Sequence, residues 1–203
     1  MTQLLKIGLA LVVLVVVGIV TAVIVVMQHG VSARDPPTAL ESLVARQLRH
    51  LAVPRRARQA SNPVPATPDV LAEARAHFAD HCASCHGNDG SGQTEMGQHL
   101  YPQTPDMRQA DTQSLSDGEL FYIIHNGVRW TGMPAWGEDP PEEDQDSWKL
   151  VHFIRHLPKI SPEELDEMTQ LNPQSPHEKE EVEEEEKFLQ GEDSPTPSSH
   201  YHH

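Results

Sequence analysis

The longest apolar run in the chain stretches from Ile7 to Met27, IGLALVVLVVVGIVTAVIVVM, without one charged residue. At ~1.5 Å per residue, a helix of this length crosses a hydrocarbon core of ~30 Å. A secretory signal is the rival reading, with Val31-Ser32-Ala33 as a small-residue cleavage site. Signal cores span only ~7 to 15 residues, however, so the length favours an uncleaved anchor. Beyond Pro36-Pro37, Thr38 and Glu41 have capping-box spacing, and Leu40, Leu43, Val44, Leu48 and Leu51 recur at helical intervals with arginines between them. That pattern predicts a short amphipathic helix, lying on anionic lipid or on a partner subunit, or else a solvated spacer. Pro54 to Pro68 then reads as an extended proline-rich linker.

Three more helical patterns follow. Thr67, Pro68 and Asp69 supply an N-cap, a first-turn proline and a first-turn acid, and Val70, Leu71, Ala74 and Phe78 continue as an apolar stripe toward Cys82. Ser116 and Glu119 form a second capping box ahead of Leu120, Phe121, Ile123 and Ile124, ended by Asn126-Gly127. From Ser147 to Leu157, Trp148, Val151, Ile154 and Leu157 fall on one face suited to packing around Phe78, and Pro158 closes the run. Ser161 to Glu164 starts one more short helix, whereas the charge run Glu178 to Glu186 buries no core and Ser194 to Ser199 reads as disordered.

Length and charge set the organisation. The 203 residues carry a formal charge of -15, enough chain for one modest domain with extensions. Residues 1–66 hold seven Lys/Arg against two acids, residues 67–160 six against fifteen, and residues 161–203 two against thirteen. The expected division is therefore a membrane anchor at 1–30, a basic amphipathic segment and linker at 31–66, a domain at 67–160, and an acidic, largely disordered tail with a His-rich end at 161–203. The charge bias about the apolar run, Lys6 before it and six arginines from Arg34 to Arg58 after it, would by itself put the domain in the cytoplasm.

The chemistry concentrates in His81 to Gly90, HCASCHGNDG, which holds the only two cysteines. Zinc needs four ligands and usually a second Cys or His pair. A thioredoxin-like site needs a βαβ context, and a disulfide across three residues would stabilise little. Cys82-Ala-Ser-Cys85-His86 instead fits covalent haem attachment, the thiols adding across the two vinyl groups and the adjacent imidazole reaching iron. The pentapeptide also arises by chance, so a second ligand matters. Asn126 to Gly137 sets Met133 in a Gly/Pro-bounded loop, where its thioether is free to point inward.

With these two motifs the stretch Pro68 to Leu157 resembles a class I mono-haem c-type cytochrome, similar to the c-type domains of terminal oxidases and membrane dehydrogenases. The resemblance implies an all-α fold, three to five helices around one covalent haem c, here with an N-terminal transmembrane helix. It makes Cys82 and Cys85 the thioether positions, His86 the proximal iron ligand and Met133 the distal one. Met107 matches the family's apolar residue that packs near the haem. Attachment in this family takes place outside the cytoplasmic membrane, which overrides the charge bias and places the domain on the periplasmic side of a single-pass inner-membrane protein.

Other residues are weighed against blander roles. Arg129 and Trp130 are candidate contacts to a haem propionate, since a buried carboxylate needs a charged or N–H partner; an ordinary surface arginine is the alternative. Met96, Met107 and Met168 are further thioethers, and His99 with His125 would make a bis-histidine site. His77, His81, His152 and His156 read as exposed helix residues, and Gly87 to Gly92 as a tight turn. No catalytic constellation stands out, and neither nucleic acid nor a small-molecule substrate is expected. The reading is a single-electron carrier on a tether, serving redox proteins in or at the membrane. The alternative is a haem-based sensor or ligand-binding protein, linked to metal handling through His177 and the terminal His200 to His203.

Overall fold

A computed structural model describes residues 3–30 and 32–173, together with Lys187. The acidic run Glu178–Glu186, His177 and the terminal histidines lie outside the described residues. Every regular element among those described is helical. In chain order the α-helices are α1 (Gln3–His29), α2 (Ala39–Ala52), α3 (Arg55–Arg58), α4 (Pro68–His77), α5 (Ala83–His86), α6 (Glu95–Gln98), α7 (Ala110–Gln113), α8 (Asp117–Asn126), α9 (Gln145–His156) and α10 (Pro162–Leu171), with a π-helical turn at Phe78–Cys82 and a 3-10 turn at Leu157–Lys159. The apolar run forms α1, whose Leu5–Gln28 stretch is long and apolar enough to cross a membrane and is exposed along its length.

Local signals place most helix starts. Thr38, Thr67, Ser116 and Ser161 are N-caps whose hydroxyls accept a backbone N–H in the first turn. At Thr38, Ser116 and Ser161 the glutamate at the third helical position returns the bond. Gly127, with φ of 65°, ends α8 in the left-handed region as expected of a glycine there.

The core lies where α9 packs on α4 and α8. Phe78, Ala79, Val151, Phe153, Leu157 and Met168 are at most 1% exposed, and the Phe78 and Phe153 rings sit 4.9 Å apart. Phe121 stacks on Trp148 at 4.1 Å, joining α8 to α9; such pairs add ~0.5–1.5 kcal/mol beyond the area they bury. Trp148, Val151 and Ile154 of α9 and Leu157 just beyond its end, expected on one buried face, are all there, joined by Leu150 and Phe153.

Asp144 rather than Ser147 opens α9. Its carboxylate accepts the Ser147 N–H at 3.0 Å and pairs with His125 Nδ1 at 2.6 Å. Both partners are buried, so each satisfies the other where water is excluded.

The stretch expected as an extended linker is packed instead. Ser116 Oγ donates to the Arg58 carbonyl at 2.9 Å, Asn62 Nδ2 donates to the Trp148 carbonyl at 2.9 Å, and His152 Nε2 lies 2.8 Å from the Val64 carbonyl. Gly118 makes this approach possible, for a Cβ there would lie 1.8 Å from the Ala57 carbonyl oxygen. α2 docks as well, through Tyr101 with Glu41, Arg46 with Asp111 at 3.6 Å, and His50 with Glu119 at 3.0 Å. Residues 161–172, expected within the acidic tail, also join the fold. Met168 of α10 is fully buried, and Glu164 pairs with Arg75 at 3.0 Å and His156 at 2.9 Å.

Candidate functional site

α4 does not run straight into the cysteines. It passes through one π-helical turn, Phe78–Cys82, and only then into α5, which carries Cys85 and His86. Such wide turns interrupt α-helices mostly at functional positions. Directly after His86 the chain reverses: Gly92 N–H donates to the His86 carbonyl at 2.7 Å and Gly90 N–H to the Gly87 carbonyl at 3.0 Å. Gly92, with φ of 69°, also comes so close to the next strand of chain that a Cβ would lie 2.5 Å from the Thr104 oxygen. Arg108 locks this turn by pairing with Asp89 at 2.9 Å and Asp106 at 2.8 Å, and its hydrogen bonds hold the Asp106 carboxyl down at about 2.

Cys82 and His86 are largely desolvated, whereas Cys85 is only partly buried. Burial, and then the neighbouring Cys85, pushes the Cys82 thiol up to about 12, so it stays neutral at physiological pH. Burial pushes the His86 imidazole down to about 4, and its buried Nδ1 has no hydrogen-bond partner among the described residues. A neutral, desolvated imidazole is a good lone-pair donor to a metal and a costly group to leave alone. Phe78 backs it, with ring centroids 6.3 Å apart.

The Met133 loop is held onto the end of α8. Trp136 N–H donates to the Ile124 carbonyl and Gly137 N–H to the His125 carbonyl, each at 3.1 Å. Within the loop, Val128 N–H donates to the Met133 carbonyl at 3.1 Å, and Met133 N–H donates to Thr131 Oγ1 at 3.1 Å. Met133 thus sits half-buried on a tight turn.

Two contacts bring this loop to the cysteine motif. On one side Trp136 meets His81, next to Cys82, edge-on at 5.6 Å. On the other, Met96 Sδ lies 3.3 Å from Cys85 Sγ, while Leu100 of the same segment fills the space over Gly132, where a Cβ would come within 2.6 Å of it. Between residues 67 and 160 every exposed large apolar side chain belongs to these two loops: Met96, Tyr101, Trp130 and Trp136. An apolar macrocycle held at Cys82 and Cys85 is what such a surface fits.

These features are those of a c-type cytochrome: a helix-borne CxxCH whose histidine is neutral and unpartnered, faced by a methionine loop, in an all-helical domain. Residues 69–154 match the family model for cytochrome C oxidase, cbb3-type, subunit III. The matched segment, less than half of the chain, is a cytochrome c domain that carries covalently bound haem c, and the protein is a haem c electron-transfer protein. No curated protein matches the chain. When bound, haem c supplies a one-electron ferric/ferrous couple; the chain supplies attachment, an apolar cover and neutral ligand atoms.

The remaining residues fall into place unevenly. Met107 and Met168 are buried core side chains, as packing would have it. His125 is committed to Asp144, and His99 is exposed at the end of α6, so the two do not form a facing pair of free imidazoles. Arg129 is exposed, and Trp130 is 92% exposed with φ of 62°, a left-handed conformation unusual for a bulky side chain. His152 and His156, expected as exposed helix residues, are half-buried and bonded to Val64 and Glu164. His77 is also half-buried, and burial followed by His81 lowers its pKa. Reading the sequence weighed Met96 only as an alternative thioether and missed Leu100 and Trp136. Only Trp136 carried a signal, as an aromatic within the methionine loop.

Proposed function

We propose that this chain is a membrane-anchored single-electron carrier whose haem c is attached through Cys82 and Cys85, with iron held between His86 and Met133. The observation that supports it is the bridging of the methionine loop to the CxxCH helix from both sides, by Trp136 against His81 and by Leu100 against Gly132. Two neutral ligands, one of them a soft thioether, favour ferrous iron and raise the reduction potential. Were His86 and Met133 both to hold the iron, no open site would remain on it for oxygen or substrate. Arg129 and Trp130, next to Met133 in the chain, are the proposed propionate contacts.

α1 fits a single-pass anchor, and in this reading, which the family resemblance supports, the haem domain lies on the periplasmic face of the inner membrane. There it exchanges electrons with redox proteins in or at the bilayer, as a free carrier or as a subunit of an oxidase or dehydrogenase. The test is the absorption spectrum of the ferric holoprotein beside that of Met133→His. The wild type is expected to show the weak long-wavelength thioether-to-iron band, and the variant to lose it and fall in potential. A wild type without that band, whose ferrous form binds carbon monoxide readily, overturns the carrier reading and makes the protein a haem-based sensor.

A further inference from the structure

α2 is an amphipathic helix turned the wrong way round for a soluble protein. At ~100° per residue, Ser42, Arg46, Arg49, His50 and Val53 share the side that meets the cytochrome domain, where Arg46 pairs with Asp111, His50 with Glu119, and Val53 is 3% exposed. The opposite side carries Leu40, Val44, Leu48 and Leu51, which are 71%, 47%, 61% and 70% exposed. A surface helix ordinarily buries its apolar stripe against its own core and gives its charges to water. Here the charges face the protein and the leucines face away from it.

We propose that this apolar face lies in the headgroup–acyl boundary of an anionic bilayer, so that α2 clamps the cytochrome domain flat against the membrane surface. The proposal rests on the reading of α1 as a membrane anchor. Chain length favours lipid as the occupant: only Gly30 to Pro37 separate α1 from the Thr38 cap of α2, and eight extended residues reach at most ~30 Å. Charge agrees, since exposed Arg34 precedes the face and exposed Arg55 and Arg56 follow it, each placed to meet an anionic headgroup. The edge of the apolar face, at the first turn of the helix, carries the consequence inward. Glu41 bonds Tyr101, one residue from the Leu100 that borders the methionine loop. A seated α2 therefore fixes how the haem domain faces the membrane, where a free tether would let it swing.

The test uses the full-length holoprotein in vesicles of phosphatidylethanolamine and phosphatidylglycerol, with single cysteines introduced at Leu48, Val16 or Ser61 and a water-soluble maleimide as the probe. The native cysteines are consumed by haem attachment, and an unchanged haem spectrum verifies each variant. Leu48→Cys is expected to react roughly tenfold or more slowly than Ser61→Cys, as burial of a side chain of that size dictates. Reaction of Leu48→Cys at the Ser61→Cys rate overturns the proposal, as does protection that appears only when protein per vesicle is raised, which would make a second copy the occupant. Val16→Cys keeps the two readings apart: fast reaction there sinks the anchor, whereas a protected Val16→Cys beside a reactive Leu48→Cys sinks the clamp alone.

Discussion

α9 and α2 are helices of similar length, 12 and 14 residues, and both carry apolar side chains at helical intervals. α9 buries its stripe completely: Trp148, Leu150, Val151, Phe153 and Ile154 are no more than 8% exposed. α2 buries none of its own residues, only its C-cap Val53, and leaves its leucines in the open. The two patterns look alike because periodicity reports which side chains share a face, and it does not report what covers that face. For α9 the cover is the chain's own core, and for α2 it lies outside the chain.

Truncating the α9 stripe should therefore cost the most. Phe153 is fully buried and packs on Phe78, which in turn backs His86. Phe153→Ala is expected to destabilise the holoprotein by about 3–5 kcal/mol. At ~4–8 °C per kcal/mol for a domain of this size, thermal unfolding followed at the haem absorbance should move down by more than about 10 °C. An unchanged midpoint would mean that the haem, and not α9, organises this side of the core.

The next effect sharpens the comparison at the start of α9. Asp144→Ala removes the cap and strands buried His125, for an expected loss of about 2–4 kcal/mol, of which the cap accounts for about 1. Asp144→Asn keeps an acceptor for the Ser147 N–H and should recover roughly that cap contribution. Equal losses in the two variants would show that the contact with His125 carries the whole effect.

These cases also separate what was legible in the sequence from what was not. The caps at Thr38, Thr67, Ser116 and Ser161 are dictated by residues within one turn, as are the reversal after His86 and the stop at Gly127, so local pattern finds them. The CxxCH and Met133 motifs are equally local. The part Asp144 plays at the start of α9 was not legible, because its second partner, His125, lies 19 residues away. The packed strap from Pro54 to Val64 was invisible for the same kind of reason. It depends on Gly118 having no side chain opposite Ala57, and nothing near Ala57 announces that fit. Met96 and Leu100 became part of the site through folding alone.

Gly118→Ala isolates that fit. In the first turn of α8 alanine is no worse a helix former than glycine, yet its Cβ would collide with the Ala57 carbonyl. The strap should lift while α8 and the haem domain stay folded. Trypsin cleavage after Arg55, Arg56 or Arg58 is expected to quicken roughly tenfold, the population change that ~1.4 kcal/mol of lost docking produces. Cleavage at the wild-type rate would show that the polar contacts of α2 hold the arm by themselves, although an exposed ion pair such as Arg46 with Asp111 contributes only ~0–1 kcal/mol.

The smallest effect is the most telling about α2. Leu48 is an exposed leucine that touches no core, so in detergent Leu48→Ala should shift the unfolding midpoint of the haem domain by no more than about 0.5 kcal/mol equivalent. Phe153→Ala, a truncation of the same chemical kind on a stripe of the same period, is expected to cost several times more. The ratio measures burial directly, because the apolar free energy of a side chain follows the area removed from water and not the pattern it belongs to. If Leu48→Ala proved as costly as Phe153→Ala in detergent, α2 would have to be packed against protein in the solubilised molecule, and its outward face would then belong to a second chain and not to lipid.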